Sequence, residues 1–353
     1  MGMLGRIKKN KVMADFSNYI YTISGKPKSG KTSLVYKCAV EKFGNADNLL
    51  LVAFERGYNA LNDINAVDIE KYDEFVELVD ELVKNKKDLP YKMVALDTVD
   101  IMQDLAIPYM LKKASRRDNK MYKVISDIPY GNGWNLLQEV IYEQVNKLVK
   151  AGYNLWFITH DKDKTFTTKD GLSYDKTILS LTGKVREVCV NMSDFIVYID
   201  TTQRKVGDKI IDERILRFRG DSTIEAGGRL EQVVESIPYS IKGFIKAVED
   251  AILAEYGGDV KAVEKAKEEQ TKDLEERVDR FISNLDEPEE EKPTLNKAEV
   301  INNLKTNMQR VDMDKLKKAM AQHGVTSFAN PDMLSNEFLI EVDKILKSIE
   351  QWY

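Results

Sequence analysis

YIYTIS-GKPKSGKT-SLVYKCAVEKF, residues 19–43, decides how the rest of the chain is read. An apolar run of β character over 19–24 leads into Gly25-Lys26-Pro27-Lys28-Ser29-Gly30-Lys31-Thr32, which matches G-x-x-x-x-G-K-[ST], and a helical pattern begins at Lys31. Two glycines permit the backbone torsions that turn successive N–H groups inward. Those amides, with the N-terminus of the following helix, form a cradle for anions. The pattern therefore predicts a phosphate loop in which Gly25, Lys26, Pro27, Lys28, Ser29, Gly30, Lys31, Thr32 and Ser33 bind a nucleotide. Lys31 is expected at the β and γ phosphates of ATP, and the Thr32 hydroxyl at Mg²⁺.

Working outward, short apolar runs at 49–54, 92–96, 154–159 and 194–200 alternate with helical patterns at 72–85, 99–114 and 134–151. Runs this apolar belong to strands covered on both faces, so the expected fold class is α/β, a mainly parallel sheet with helices on each side. Pro108 is expected to kink or end the third helix. DFIVYID (194–200) and ERILRFRG (213–220), separated by the polar TTQRKVGDK, predict an antiparallel hairpin at one edge of the sheet.

In a parallel sheet the strand ends meet at the crevice that holds the phosphate loop. Met93-Val94-Ala95-Leu96 runs into Asp97, the carboxylate expected to hold Mg²⁺ through water; a helix cap is the plainer alternative, and Asp100 is a weaker metal candidate. LLLVAF runs into Glu55, placed to polarise an attacking water, or else a solvated loop carboxylate. NLWFIT runs into His160, placed to sense the γ-phosphate, or else a buried histidine fixed by a carbonyl.

Composition bounds the remaining possibilities. Lys+Arg 53 against Asp+Glu 58 leaves a net charge of −5 over 353 residues, so contact with nucleic acid must come from local patches. Two distant cysteines, Cys38 and Cys189, and two histidines, His160 and His323, exclude a disulfide scaffold and Cys/His zinc modules. No apolar run is long enough to span a membrane, and a cytoplasmic protein without membrane contact is expected. Along the chain, residues 1–14 read as a basic arm and 15–240 as the nucleotide-binding core. Residues 241–295 read as a charged helix and acidic linker, and 296–353 as a small helical domain.

The strand–GKPKSGKT–helix unit, the strand ending in Glu55, the Asp97 strand and the strand ending in His160 together resemble the RecA-like ATPase core. More narrowly, FERGYNAL (54–61), YGNGWNLL (130–137), FITHDKD (157–163) and LTGKVREVCVNMSDFIVYI (181–199) resemble compact phage-encoded AAA-family ATPases, a group that includes Sak-type single-strand annealing recombinases. The resemblance implies a Mg²⁺-dependent ATPase acting on single-stranded DNA in recombination or replication, with Glu55 as the catalytic glutamate and His160 as the γ-phosphate sensor. It also implies that Arg217 and Arg219, flanking Phe218, reach a neighbour's ATP site, and hence a homo-oligomer with shared sites; exposed cations opposite carboxylates are the alternative.

Single-strand contact in such enzymes comes from mobile loops after the third and fourth core strands. Here those places carry Lys112, Lys113, Arg116, Arg117 and Lys120 with Tyr122, Tyr130 and Trp134, and Lys164 and Lys169 with Phe166 and Tyr174. Cations interleaved with aromatics suit sequence-independent binding. A single-strand-binding or replication protein is a further expected partner. A hexameric helicase or helicase loader, and a nucleotide-switched interaction module with little turnover, are the competing readings.

Overall fold

Period-two alternation explains the central layer. Leu50, Val52, Val94, Leu96, Leu155 and Phe157 point to one side of the sheet, and Leu49, Leu51, Ala95, Trp156 and Ile158 to the other. Both sets are buried, so each strand is apolar throughout and needs a helical layer on each face. The computed structural model describes residues 9–207, 209–286, 297–323, 325, 327–328 and 334–350. The chain divides into two compact units, one reaching Asn284 and the other beginning at Leu285.

The first unit runs β1 (Tyr21–Gly25), α1 (Lys31–Phe43), β2 (Leu49–Ala53), β3 (Asn65–Asp68), α2 (Tyr72–Lys84), β4 (Met93–Asp97), α3 (Val99–Asp118), α4 (Asn132–Lys150) and β5 (Asn154–Thr159). It continues with β6 (Asp161–Thr167), β7 (Ser173–Leu179), α5 (Gly183–Met192), β8 (Phe195–Val206), β9 (Lys209–Arg217), β10 (Gly227–Gly228), β11 (Ser236–Pro238), α6 (Ile241–Glu255) and α7 (Val260–Asp286). The main sheet has the order β11-β9-β8-β1-β5-β4-β2-β3, with β10 also on β8. From β3 to β8 every neighbour is parallel, and β9, β10 and β11 join antiparallel. This is the RecA-like α/β core with an edge hairpin.

Helices α2 to α5 cover one face through Phe75, Val79, Met102, Ile141 and Val145. α1 and α6 cover the other through Leu34, Val35, Phe244 and Val248. Trp156 stacks on Tyr21 with ring centroids 4.2 Å apart, at the start of β1. Burying each such ring contributes about 2 kcal/mol, which holds β1 and β5 in fixed register.

Three details differ from the pattern-based expectation. α3 continues through Pro108 to Asp118, so the proline, expected to kink or end it, does not end it. The polar stretch 201–206 is strand, because β8 and β9 form a ribbon that outruns β1: the β1–β8 pairing stops at Gly25 opposite Ile199, while β8–β9 pairing continues to Val206 opposite Lys209. A ribbon with water on both faces has no apolar alternation to read. The edge strand β3 was missed because only Ala66 and Val67 of its four residues are apolar, too short a run to read.

The second unit holds α8 (Lys297–Thr306), α9 (Met313–Gln322) and α10 (Asn336–Glu350) around its own apolar core of Ile301, Leu304, Leu316, Phe338 and Val342. Arg6 and Lys8 of the basic arm, and residues 287–295 of the acidic linker, lie outside the described residues. Lys11 of that arm pairs with Glu269 on α7 at 2.6 Å. No helix among the described residues is long and apolar enough to cross a membrane.

Candidate functional site

Strand register brings the chemistry together. Ala53 pairs with Asp97, Asp97 with Ile158, and Ser24 with Thr159, so the loops after β1, β2, β4 and β5 emerge at one end of the sheet. Gly30 precedes α1 with φ +102° and no side chain caps the helix, so its first amides stay available to an anion. Lys31 is 5% exposed, and its Nζ donates to the Gly25 carbonyl at 2.8 Å and the Lys26 carbonyl at 3.1 Å. Burial lowers its pKa, against the opposing pull of Asp97, Asp100, Asp161 and Glu55. Lys26, Pro27 and Lys28 are exposed at the loop crest.

Thr32 Oγ1 donates to Asp97 Oδ2 at 2.7 Å. Burial pushes the Asp97 carboxyl up to about 6, with Glu55 adding to the rise and Thr32, Lys31 and His160 opposing it. Glu55 is exposed and follows β2, and its N–H points at the Asp97 carbonyl over 3.4 Å. The residue expected to polarise water is thus beside the residue expected to hold Mg²⁺.

His160 is fixed by a carboxylate, where a backbone carbonyl was the plainer expectation. Its Nδ1 lies 2.8 Å from Asp100 Oδ2, and its backbone N–H donates to Asp100 Oδ1 at 3.3 Å. Asp100 therefore orients the histidine from the first turn of α3. The contact leaves Nε2, on the far side of the ring, for a ligand.

These groups fit a Mg²⁺ nucleotide. The Ser29 hydroxyl is buried in the loop and makes no hydrogen bond within the protein, so it is a donor the loop leaves unused. A hydroxyl and a carboxylate already in contact are the hard oxygen donors that Mg²⁺ takes alongside phosphates.

Arg217 and Arg219 are both engaged within their own chain. Arg217 Nε donates to Asp200 at 2.7 Å. Arg219 donates to the carbonyls of Gly228, Leu230 and Glu231 at 3.2, 2.8 and 2.6 Å. Phe218 points the other way and stacks on Phe244 in the core. The edge-hairpin cation that does touch the phosphate loop is Arg214, whose guanidinium donates to the Ser29 carbonyl at 3.0 Å. It lies over the Tyr239 ring, 4.4 Å from the centroid, and the Tyr239 hydroxyl donates to the Gly30 carbonyl at 3.0 Å. Sequence reasoning missed both residues. They stand 185 and 209 positions from their loop partners, and no local motif marks them.

The two basic segments differ in form. Lys112, Lys113, Arg116 and Arg117 line the exposed end of α3, with Lys113 3.7 Å from Glu143 and Arg117 paired with its neighbour Asp118. Lys120 lies over Tyr122, which is 7% exposed and so unavailable for stacking on a base. Tyr130 is 98% exposed and Trp134 42%. The second segment, expected as a mobile loop, is the ordered antiparallel ribbon β6–β7. Lys164 lies over Phe166, Phe166 stacks on Tyr174, and Lys169 is at the turn.

The sheet order, the loop and the converging strand ends define a phosphate-loop NTPase with a RecA-like core. A family model described as AAA domain matches residues 17–230, and the chain belongs to that family. It is 26% identical over 167 residues to the "SPbeta prophage-derived uncharacterized protein YorG" of Bacillus subtilis strain 168, an alignment covering 46% of this chain. The chain spans about half, 47%, of that relative's length. Among solved structures, the KaiC-like protein PH0186 of Pyrococcus horikoshii OT3 is similar at TM-score 0.32 and 13% identity, over 63% of this chain and 90% of that one.

Proposed function

We propose that the protein hydrolyses ATP with Mg²⁺ and couples hydrolysis to binding of single-stranded DNA, in the manner of the phage recombination and annealing ATPases. The carrying observation is that both basic, aromatic-bearing segments start at the nucleotide site. α3 leaves the site two residues after Asp97 and ends in Arg116 and Arg117. β6 begins at the residue after His160, and the Ser180 N–H at the end of the ribbon returns to the His160 carbonyl. A change at either side chain has a short covalent path to a candidate strand-binding surface.

In this reading the loop amides and Lys31 bind the phosphates, and Thr32 and Asp97, the latter through water, hold the cation. A Mg²⁺ held by these residues would supply neutralisation of the phosphate charge. Glu55 orients water and draws its proton; Asp100 holds the His160 ring so that Nε2 meets the γ-phosphate. Tyr130 supports the DNA assignment. Its ring is almost wholly in water on a backbone of φ +59°, beside the buried Ile128, so the whole aromatic face is free to stack on a base. The prophage origin of the relative supports a phage setting.

The test is ATP turnover with and without single-stranded DNA. Mg²⁺-dependent hydrolysis that rises with DNA is expected. Hydrolysis indifferent to DNA, with no DNA binding, removes the coupling, and absence of hydrolysis removes the enzyme.

A further inference from the structure

We infer that Arg214 and Tyr239 are positioning residues for the phosphate loop, bracing from outside the peptide groups whose amides face the nucleotide. The inference rests on the nucleotide reading of the loop and adds to it a device built from the edge of the sheet.

The physical basis is the planarity of the trans peptide. The carbonyl of one residue and the N–H of the next point in opposite directions across the same rigid plane. Pulling the Ser29 carbonyl outward therefore aims the Gly30 N–H inward, and pulling the Gly30 carbonyl outward does the same for the Lys31 N–H. Arg214 donates to the first carbonyl at 3.0 Å and Tyr239 to the second at 3.0 Å. The Gly30 carbonyl also accepts the first helical bond of α1, from the Leu34 N–H at 2.9 Å, so Tyr239 is a second anchor on it.

The two braces form one unit. The Tyr239 N–H donates to the Arg214 carbonyl at 2.9 Å, joining the strand to the segment after β11, and the guanidinium carbon lies over the ring, 4.4 Å from its centroid. Burial pushes the Tyr239 phenol up, which keeps it protonated and a donor. The brace also explains a glycine. A Cβ at Gly30 would come within 3.0 Å of the Tyr239 hydroxyl and 3.1 Å of the Arg214 guanidinium, so the loop, the arginine and the tyrosine are fitted to one another. Arg214 sits at the root of the β8–β9 ribbon, just past Ile215, which pairs with β11. A brace mounted there is held by the sheet and not by the loop it supports.

Equilibrium binding of Mg²⁺-ADP and of a slowly hydrolysed Mg²⁺-ATP analogue to the full chain tests this, using Arg214→Ala, Tyr239→Phe and Lys31→Ala. A positioning role acts on the cradle shared by both nucleotides. Arg214→Ala is expected to weaken both by the same factor, about five- to tenfold, and Tyr239→Phe by about threefold, the scale of one lost hydrogen bond. The double variant Arg214→Ala/Tyr239→Phe should lose less than the product of the two, because the residues share one network. Tyr239→Phe removes a single hydroxyl and keeps the ring, so it remains informative if Arg214→Ala fails to fold. Unchanged affinities with a lowered unfolding midpoint would show a purely structural pair and overturn the inference. A loss confined to the ATP analogue also overturns it, making Arg214 a γ-phosphate ligand. Lys31→Ala separates the two levels: normal binding there brings down the nucleotide reading itself, whereas loss there with normal binding by Arg214→Ala and Tyr239→Phe removes the brace alone.

Discussion

Thr32 Oγ1 and Asp97 Oδ2 are 2.7 Å apart, although 65 positions separate them in the chain. The hydroxyl stands in the first turn of α1 and the carboxylate at the end of β4, with β5 between β1 and β4 in the sheet. The contact links the glycine-rich loop to the strand end proposed to hold the cation.

Lys31→Ala removes a buried cation at the phosphate cradle. ATP turnover is expected to fall by about 100-fold or more, the scale for losing a preorganised electrostatic contact. Glu55→Gln keeps the exposed side chain's shape and leaves the cradle intact, so nucleotide affinity should stay within about twofold while turnover drops by about 100-fold. Steady-state hydrolysis alongside equilibrium binding separates the two. Normal turnover in the glutamine variant would return Glu55 to the solvated loop carboxylates.

Asp97 predicts a pH dependence with a definite sign. Its carboxyl is raised to about 6, chiefly by burial, so it is neutral below that pH and cannot hold a cation. The Mg²⁺-dependent part of nucleotide affinity should fall as pH drops, by about tenfold one unit below the pKa. In the metal-free protein the same group acts on folding in the other direction. A folded pKa above the ordinary 3.8 contributes stability at low pH that is lost as pH rises through about 6. Asp97→Asn should flatten both curves, read by nucleotide titration on both sides of pH 6 and by unfolding from below pH 3.8 to above pH 6.

Tyr130→Ala is expected to leave the unfolding midpoint unchanged, because a ring 98% exposed makes little packing contribution. Affinity for single-stranded oligonucleotide should fall by about tenfold, within the range for one stacked base. A Tyr130→Ala protein that binds single strands like the wild type would detach the exposed aromatic from the nucleic-acid function.

Arg219→Ala removes one donor from three carbonyls, those of Gly228, Leu230 and Glu231. The expected effect is on stability, about 2 kcal/mol, with turnover per folded molecule unchanged. Denaturant unfolding and an active-site-normalised rate check it. A collapse of turnover with normal stability, together with specific activity that rises on concentration, would restore the arginine to a neighbour's site.

The chemistry of the site was legible where it is local. A glycine-rich turn between an apolar strand and a helix can be read from eight consecutive residues. An apolar run ending in a carboxylate or an imidazole marks Asp97, Glu55 and His160 without any knowledge of distance. The α/β class follows from the same runs, because strands apolar on both faces require two covering layers. What the tertiary structure decided depends on partners far away in the chain. Asp100 looked like a first-turn helix residue and proved to orient His160 from 60 positions away. The basic segment after His160 became an ordered ribbon because its strands pair with each other, a relation that alternation cannot reveal when both faces meet water. Arg217 and Arg219 had the spacing of paired cations, yet Asp200 and three loop carbonyls claim them. Arg214, three residues earlier on the same strand, reaches the phosphate loop because the ribbon root lies beside it. Spacing along a strand determines which side chains share a face; only the packed sheet determines what that face meets.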